Sequence, residues 1–151
     1  HDSNRPFRGQ KRSLEEGGIR MPTTMRWPGR IPAGKRSQDP MCMIDILPSI
    51  VATAGGSVDS AWKVDGMNMM DVWMGKAKLP ERTLFWEFNT ESWHMNAAMR
   101  GDFKLLDLGG NYFLYNLKDD PQERRTVAQE YPEMHRRLQT ELKAWLATEV
   151  K

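Results

Sequence analysis

The chain has 151 residues, of which 39% are apolar and 28% charged, and it is long enough to bury one hydrophobic core. Its 22 basic and 20 acidic residues leave a net charge of +2, too balanced to indicate a nucleic acid or anionic membrane partner. No apolar run approaches the roughly 20 residues that span a bilayer. We therefore predict neither a nucleic acid nor a membrane partner. Cys42 is the only cysteine, which excludes an intrachain disulfide and a cysteine-based metal site.

The first residues are polar and rich in turn-forming residues. Because the chain begins at His1, with no methionine and no signal peptide, we expect it to be a fragment of a longer protein. Residues 1–18 contain Pro6 and three glycines without any helical or strand period. They are predicted to form a loop, with a disordered terminus as the alternative. Ile19–Trp27 then alternates apolar and polar residues, which predicts a short strand.

The middle of the chain predicts one helix. Asp45 suits a helix N-cap, and Gly55 with Gly56 would end the helix near Ala54. One face of this helix carries apolar side chains at helical spacing, namely Leu47, Ile50, Val51 and Ala54. The methionines between Met67 and Met74 favour filling of irregular core space over copper binding.

The second half predicts an antiparallel sheet covered by a helix. Four segments have the aromatic and β-branched content or the tight connections of strands: Arg82–Phe88, Trp93–Met99, Phe103–Leu108 and Tyr112–Leu117. Pro132 suits the first position of a helix that continues to about Thr148. Its apolar stripe would cover one sheet face and give an α+β layer.

Few residues suggest chemistry. The sequence has no Gly-x-Ser-x-Gly, His-Glu-x-x-His or phosphate-binding loop motif. Lys11, on a glycine-flanked loop, offers a compact positive charge for a sulfate or phosphate oxygen, although basic loop residues are usually only solvated. His94 stands alone between Trp93 and Met95, where a structural role competes with a functional one.

Several segments together resemble the C-terminal part of a type I, formylglycine-dependent sulfatase of the alkaline-phosphatase-like superfamily. The most specific is the Lys-x-x-x-x-Glu-Gly-Gly pattern from Lys11 to Gly18. Weaker segments follow in the family's order: 19–22, 26–34, 44–49, 54–56, 65–66, 82–87, 98–105 and 114–123. The resemblance covers nearly the whole chain.

The resemblance implies an α/β fold fragment. Residues 1–80 would end the catalytic domain, with its active-site loop and the last strand and helix of the large sheet. Residues 81–151 would form the C-terminal α+β subdomain, a four-stranded antiparallel sheet with a packed helix. In this family the lysine at the place of Lys11 contacts the substrate sulfate and assists catalysis. His94 is a weaker substrate-binding candidate, and the substrate would be a sulfate-ester small molecule or a sulfated glycan.

The family's nucleophile and metal ligands are expected upstream of this chain. Cys42 is followed by Met43, Ile44 and Asp45, which does not match the Cys/Ser-x-Pro-x-Arg motif that yields formylglycine. We predict no metal ligand in this chain, a calcium ion in the longer parent, and no activity of the fragment alone. The resemblance also implies an extracytoplasmic location: periplasmic, secreted or lysosomal.

Two alternatives remain open at this point. A phosphoester or phosphonate hydrolase of the same superfamily would also present a lysine to a tetrahedral anion. A non-catalytic α+β module could instead bind a partner or glycan through its tryptophans. Burial of Trp86, Trp93 and Trp145 in one core would weaken this second alternative.

Overall fold

The chain forms two compact units. A computed structural model describes residues 4–148. The sheet unit comprises residues up to Pro22 together with those from Glu81 onward, and the middle unit is Thr23–Pro80. The predicted boundary between residues 80 and 81 coincides with one end of the middle unit, but residues 4–22 pack with the sheet. The assignment of residues 1–80 to a catalytic domain stays a prediction.

The sheet unit contains the predicted meander. Its strands are β1 Thr83–Thr90, β2 Trp93–Arg100, β3 Phe103–Leu108 and β4 Asn111–Asn116. They pair antiparallel in the order β1-β2-β3-β4, and the register places Lys104 of β3 opposite Met99 and Tyr115. The β2–β3 turn places Gly101 at a φ of +55°, a conformation that glycine adopts without steric cost. The predicted four-stranded antiparallel sheet is confirmed.

One face of the sheet is covered by the C-terminal helix. α4 spans Pro132–Thr148, as predicted, and buries Leu138 and Leu142 completely. These leucines pack against inward-facing strand residues: Ala98, Leu105 and Leu114. The Trp145 ring stacks on Phe85 with 5.2 Å between centroids. The predicted apolar stripe of this helix therefore forms the main core of the unit.

The opposite face of the sheet is covered by the N-terminal segment. Leu14 is only 5% exposed and packs into a second cluster with Met95, Ala97, Leu106 and Tyr115. Within this segment Glu16–Ile19 forms a short helix, α1, so the prediction of loop throughout was wrong at its end. Residues 4–15 are irregular, as expected, and residues 1–3 lie outside the described part.

No strand forms over Ile19–Trp27. α1 ends at Ile19, and residues 20–27 have no regular secondary structure. A strand requires a hydrogen-bonded neighbour, and residues 20–27 take no part in the four-stranded sheet. The alternation of side chains alone therefore does not produce a strand here.

The middle unit is organised around a buried carboxylate. Asp45 precedes α2, Ile46–Thr53, as predicted, but its side chain accepts hydrogen bonds from the N–H groups of Cys42 and Met67 at 2.8 and 3.0 Å. A second link joins α2 to the chain before α3, Met70–Trp73. In this link the Met69 N–H donates to Ser49 Oγ at 2.9 Å.

These polar contacts lie on the side of α2 that carries the buried Ser49. Part of the predicted apolar face is instead exposed to solvent. Leu47 and Ile50 remain 48% and 59% exposed. Two short 3-10 helices, Met43–Asp45 and Ser60–Trp62, complete the regular structure of this unit. Over residues 4–148, no helix is both long and apolar enough to cross a membrane.

Candidate functional site

Lys11 lies at the tip of a tight turn in the sheet unit. The Ser13 N–H donates to the Gln10 carbonyl at 3.0 Å, and Ser13 Oγ accepts from the Gln10 N–H at 3.1 Å. Arg12, third in the turn, has a φ of +74°, as the third residue of a type II turn requires. Lys11 is exposed, and its ammonium makes no ion pair or hydrogen bond within residues 4–148. We call residues 8–19 the Lys11 loop.

The shape of the Lys11 loop depends on Gly17 and Gly18. The Gly17 N–H donates to the Arg8 carbonyl at 2.6 Å, which brings the two arms of the loop into contact. A Cβ atom on Gly17 would lie 2.5 Å from the carbonyl oxygens of Arg8 and Gly9. One on Gly18 would lie 2.0 Å from the Ser13 carbonyl oxygen. The Glu-Gly-Gly sequence is therefore required by close backbone packing beneath the turn that carries Lys11.

A buried ion-pair network fixes the loop to the sheet. The Lys104 ammonium on β3 is fully buried and lies 2.8 Å from Glu16 Oε1 and 2.9 Å from Glu123 Oε1. The Glu16 N–H donates to Glu123 Oε2 at 2.7 Å. One lysine thus connects the loop, the sheet and the segment after β4. Removing one partner of such a buried network costs about 3–5 kcal/mol, because the remaining charge loses its compensation.

Arg8 forms a second link between the loop and the segment after β4. Its guanidinium donates to the Glu123 carbonyl at 3.0 Å and lies 3.7 Å from Glu15 Oε1. It also donates to the Tyr115 hydroxyl at 3.4 Å. Because guanidinium groups hold several donors in a fixed plane, Arg8 orients the start of the loop as well as attaching it.

The segment after β4 places Glu123 beneath the loop. Asp120 accepts hydrogen bonds from the N–H groups of Arg124 and Arg125 at 2.6 and 3.0 Å, which forms a turn around Glu123. Glu123 has a φ of +55° and a fully buried side chain. Burial raises the pKa of Glu123 above its ordinary value, although Lys104 and the Glu16 N–H partly lower it. Glu123 therefore holds its proton more tightly in the folded state.

An open cavity of about 710 Å³ lies beside the Lys11 turn. Its lining includes Gln10 from the turn, and Gln122 and Arg124 from the segment after β4. These side chains supply amide and guanidinium donors, which suit a polar or anionic ligand. Lys11 itself is not among the residues that line this cavity, whose positive charges come from Arg5 and Arg124.

His94 does not join Lys11 in the structure. It is exposed, near the start of β2 and paired with Asn89 of β1. By strand alternation His94 shares its sheet face with Ala98, which packs in the cluster under α4, whereas the Lys11 loop packs on the other face. No hydrogen bond or ion pair joins the two side chains within residues 4–148. The substrate-binding role of His94 stays a prediction.

The tryptophans do not form one core. Trp86 and Trp145 each pack at the margin of a different cluster, on opposite sheet faces. Trp93 remains 57% exposed. These three tryptophans are therefore not buried in one core, and the binding-module alternative is not weakened by their placement.

The described residues do not fit a calcium site. Within residues 4–148 no group of three or more His, Cys, Asp or Glu side chains is arranged to hold a metal ion. The buried carboxylates of Glu16 and Glu123 are instead paired with Lys104. No chemical step is therefore assigned to a metal held by this part of the chain.

Comparison with protein families identifies the chain. Residues 8–150 match the family model described as N-sulphoglucosamine sulphohydrolase, C-terminal. The chain belongs to this sulfatase family. The match begins at Arg8, the residue at which the Lys11 loop begins, and so includes both the loop and the sheet on which it packs.

Individual sulfatases are similar to the chain in sequence. Mouse arylsulfatase G is 34% identical over 96 residues, which cover 64% of this chain and 17% of that protein. Mouse steryl-sulfatase is 25% identical over 166 aligned positions, covering 90% of this chain and 27% of that protein. The chain thus spans only about a sixth to a quarter of the curated relatives that it matches.

Solved structures agree with the fold. The crystal structure of Ps i-CgsB superposes with a TM-score of 0.88 at 26% identity, over 94% of this chain and 32% of that one. The same protein in complex with k-i-k-neocarrahexaose gives 0.87. The alkaline-phosphatase-like class of the fragment, with its antiparallel sheet and C-terminal helix, is confirmed.

Sequence reasoning missed the residues that hold the loop. Lys104 lies next to the apolar pair Leu105 and Leu106 in β3, which is the one signal that it is buried with a partner. Its contact Glu16 is 88 positions away, and Glu123 lies 107 positions from Glu16. Such distant pairs cannot be recognised from spacing in a single sequence.

Proposed function

We propose that this chain is the C-terminal part of a longer sulfatase that hydrolyses sulfate esters. Membership of the sulfatase family and similarity to arylsulfatase G and steryl-sulfatase support this proposal. The substrate is a sulfate-ester small molecule or a sulfated glycan. The exposed Lys11, on a hydrogen-bonded turn whose loop is attached to the sheet by the buried Glu16–Lys104 ion pair, is the observation that connects the geometry with this chemistry.

Lys11 is proposed to contact the substrate sulfate. A lysine ammonium is a compact point charge with three donors, suited to a tetrahedral anion. Directed at sulfate, it stabilises negative charge that builds on the sulfate and the leaving oxygen in the transition state. Because the turn is already formed by Gln10 and Ser13, little reorganisation is needed when substrate binds.

The nucleophile and the calcium ion are proposed to lie upstream, so the chain alone is inactive. A lysine supplies neither the nucleophile nor the metal ligands that sulfate ester hydrolysis in this family needs. We also propose an extracytoplasmic location, as the resemblance implies. Fractionation of cells that express the full-length protein tests the location. The turnover of a chromogenic aryl sulfate by residues 1–151 alone tests the inactivity, since clear turnover would contradict it.

The decisive experiment is Lys11→Ala in the full-length protein. Loss of one transition-state donor lowers turnover by about 100- to 1000-fold, so we expect that loss with 4-nitrophenyl sulfate and an unchanged thermal midpoint. Lys118→Ala is the matched control, because Lys118 is also exposed on a turn of the sheet unit. Near-normal turnover of Lys11→Ala would refute the role of Lys11.

Two alternatives are tested with the same protein. A phosphoester or phosphonate hydrolase would turn over the 4-nitrophenyl phosphate or phosphonate faster than the sulfate. A binding module would use exposed aromatic rings such as Trp93, and its fluorescence would change with a sulfated oligosaccharide but not after Trp93→Ala. Turnover of the sulfate together with loss in Lys11→Ala favours the sulfatase over both.

A further inference from the structure

The Lys11 loop is attached to the sheet by charges rather than by strand pairing. Residues 8–15 of the loop have no regular structure, and α1 has only four residues. The loop's apolar anchors are Leu14, with 5% of its surface exposed, and the partly buried Ile19. The position of the loop relative to the sheet therefore depends on contacts made by a few side chains.

The strongest of these contacts are around Lys104. Its ammonium lies within 2.9 Å of two carboxylates, one from the loop and one from the segment after β4, and all three side chains are almost completely buried. Coulomb interactions are stronger in such an environment than at the surface, so the distances are held within narrow limits. Glu16 adds a backbone N–H to Glu123, which fixes its direction as well.

This network is continuous with the turn that carries Lys11. Glu16 is followed directly by Gly17 and Gly18, whose backbones touch Arg8 and Ser13. Arg8 in turn donates to the carbonyl of Glu123, so both arms of the loop are tied to the same residue. A shift of Glu16 or Glu123 must therefore move the Gln10–Ser13 turn.

We propose that Lys104 and Glu123 are positioning residues that hold Lys11 in register with the substrate sulfate. The proposal rests on the proposed function of Lys11 and adds two residues from the C-terminal sheet unit. Neither touches substrate; both act by fixing the loop. Since a displacement of about 1 Å can cost about 100-fold in rate, a network at some distance from the reacting atoms can control turnover.

The test is a double-mutant cycle in the full-length protein. Lys104→Met removes the central cation, and Lys104→Met with Glu123→Gln leaves no unpaired carboxylate, because Glu16 keeps Arg20 at 3.5 Å. The second variant keeps the test valid if the first fails to fold. Each is combined with Lys11→Ala, and kcat/KM for 4-nitrophenyl sulfate and the inhibition constant of inorganic sulfate are measured well below the thermal midpoint.

A positioning role predicts strong coupling. We expect both variants to lower kcat/KM by about 10- to 100-fold and to weaken sulfate inhibition when Lys11 is present, but to change kcat/KM less than about twofold in the Lys11→Ala background. Lys104→Arg, which keeps the charge, should lose less than Lys104→Met. Glu141→Gln removes a charge bound by Thr83 and Arg137 on the helix side of the sheet, and should leave kcat/KM unchanged.

Two outcomes separate this proposal from the proposed function. Equal losses in both Lys11 backgrounds would refute positioning while leaving the role of Lys11 intact. Normal turnover of Lys11→Ala would refute the proposed function itself, and the positioning role with it. Normal kcat/KM and sulfate inhibition in the folded Lys104→Met/Glu123→Gln protein would also overturn the inference.

Discussion

Replacing Gly18 by alanine tests whether close backbone packing beneath the turn controls Lys11. An added Cβ atom would lie 2.0 Å from the Ser13 carbonyl oxygen and 2.8 Å from that of Gln10. Both neighbours are backbone atoms of the turn itself, so they cannot move aside by a simple side-chain rotation. To reach the 3.4 Å at which ordinary contact begins, Ser13 must move at least 1.4 Å away.

A displacement of this size has consequences for both rate and stability. A misplacement of about 1 Å at a catalytic group can cost about 100-fold, which corresponds to about 2.7 kcal/mol of transition-state stabilisation. Overpacking costs about 1–3 kcal/mol of folding free energy. We therefore expect Gly18→Ala to lower kcat/KM about 100-fold while the protein remains folded below a reduced thermal midpoint.

The assay is turnover of 4-nitrophenyl sulfate by the full-length protein, with thermal unfolding followed in parallel. Gly56→Ala is the matched control, because Gly56 also lies outside the left-handed region and its Cβ would approach only Val51, at 3.2 Å or more. That variant should keep turnover within about twofold. If Gly18→Ala turns over substrate normally at a temperature where it is folded, the link between the glycine contacts and Lys11 is refuted.

Two further predictions concern stability. Burial gives Glu123 a raised pKa in the folded state, so the native protein loses stability as pH rises from the ordinary carboxyl value through the raised one. Glu123→Gln lacks this titration, so the difference in unfolding free energy, variant minus wild type, should increase with pH over that window. Denaturant titrations at several pH values measure this difference, and a decrease would contradict the raised pKa. Leu105→Ala should cost about 2–5 kcal/mol of unfolding free energy, because Leu105 is fully buried under α4, whereas the exposed Gln129→Ala should stay within about 0.5 kcal/mol.

Local patterns predicted most of the secondary structure. β3 and α4 have the bounds that were predicted. Turn residues flank the segment Phe103–Leu108 on both sides, and Pro132 marks the start of the helix. These signals depend only on neighbours along the chain. The same applies to Lys11, since its pattern with Glu16, Gly17 and Gly18 is local and specific to the family.

The prediction of a strand over Ile19–Trp27 was wrong for a complementary reason. Its alternating residues satisfy a strand pattern, but a strand also needs a neighbouring strand to which it hydrogen-bonds. Residues 20–27 take no part in the four-stranded sheet. Likewise, the apolar pattern of α2 did not decide which face is buried. The polar contacts of Asp45 and Ser49 did so, and they leave Leu47 and Ile50 exposed.

The sequence by itself determined the family, the sheet with its covering helix, and the candidate lysine, because each is encoded in residues close together along the chain. Only the tertiary structure decided what holds that lysine in place. Lys104 meets Glu16 across 88 positions, and Glu16 meets Glu123 across 107. Burial makes these charges pair, and no local pattern specifies which distant partner a buried charge will find.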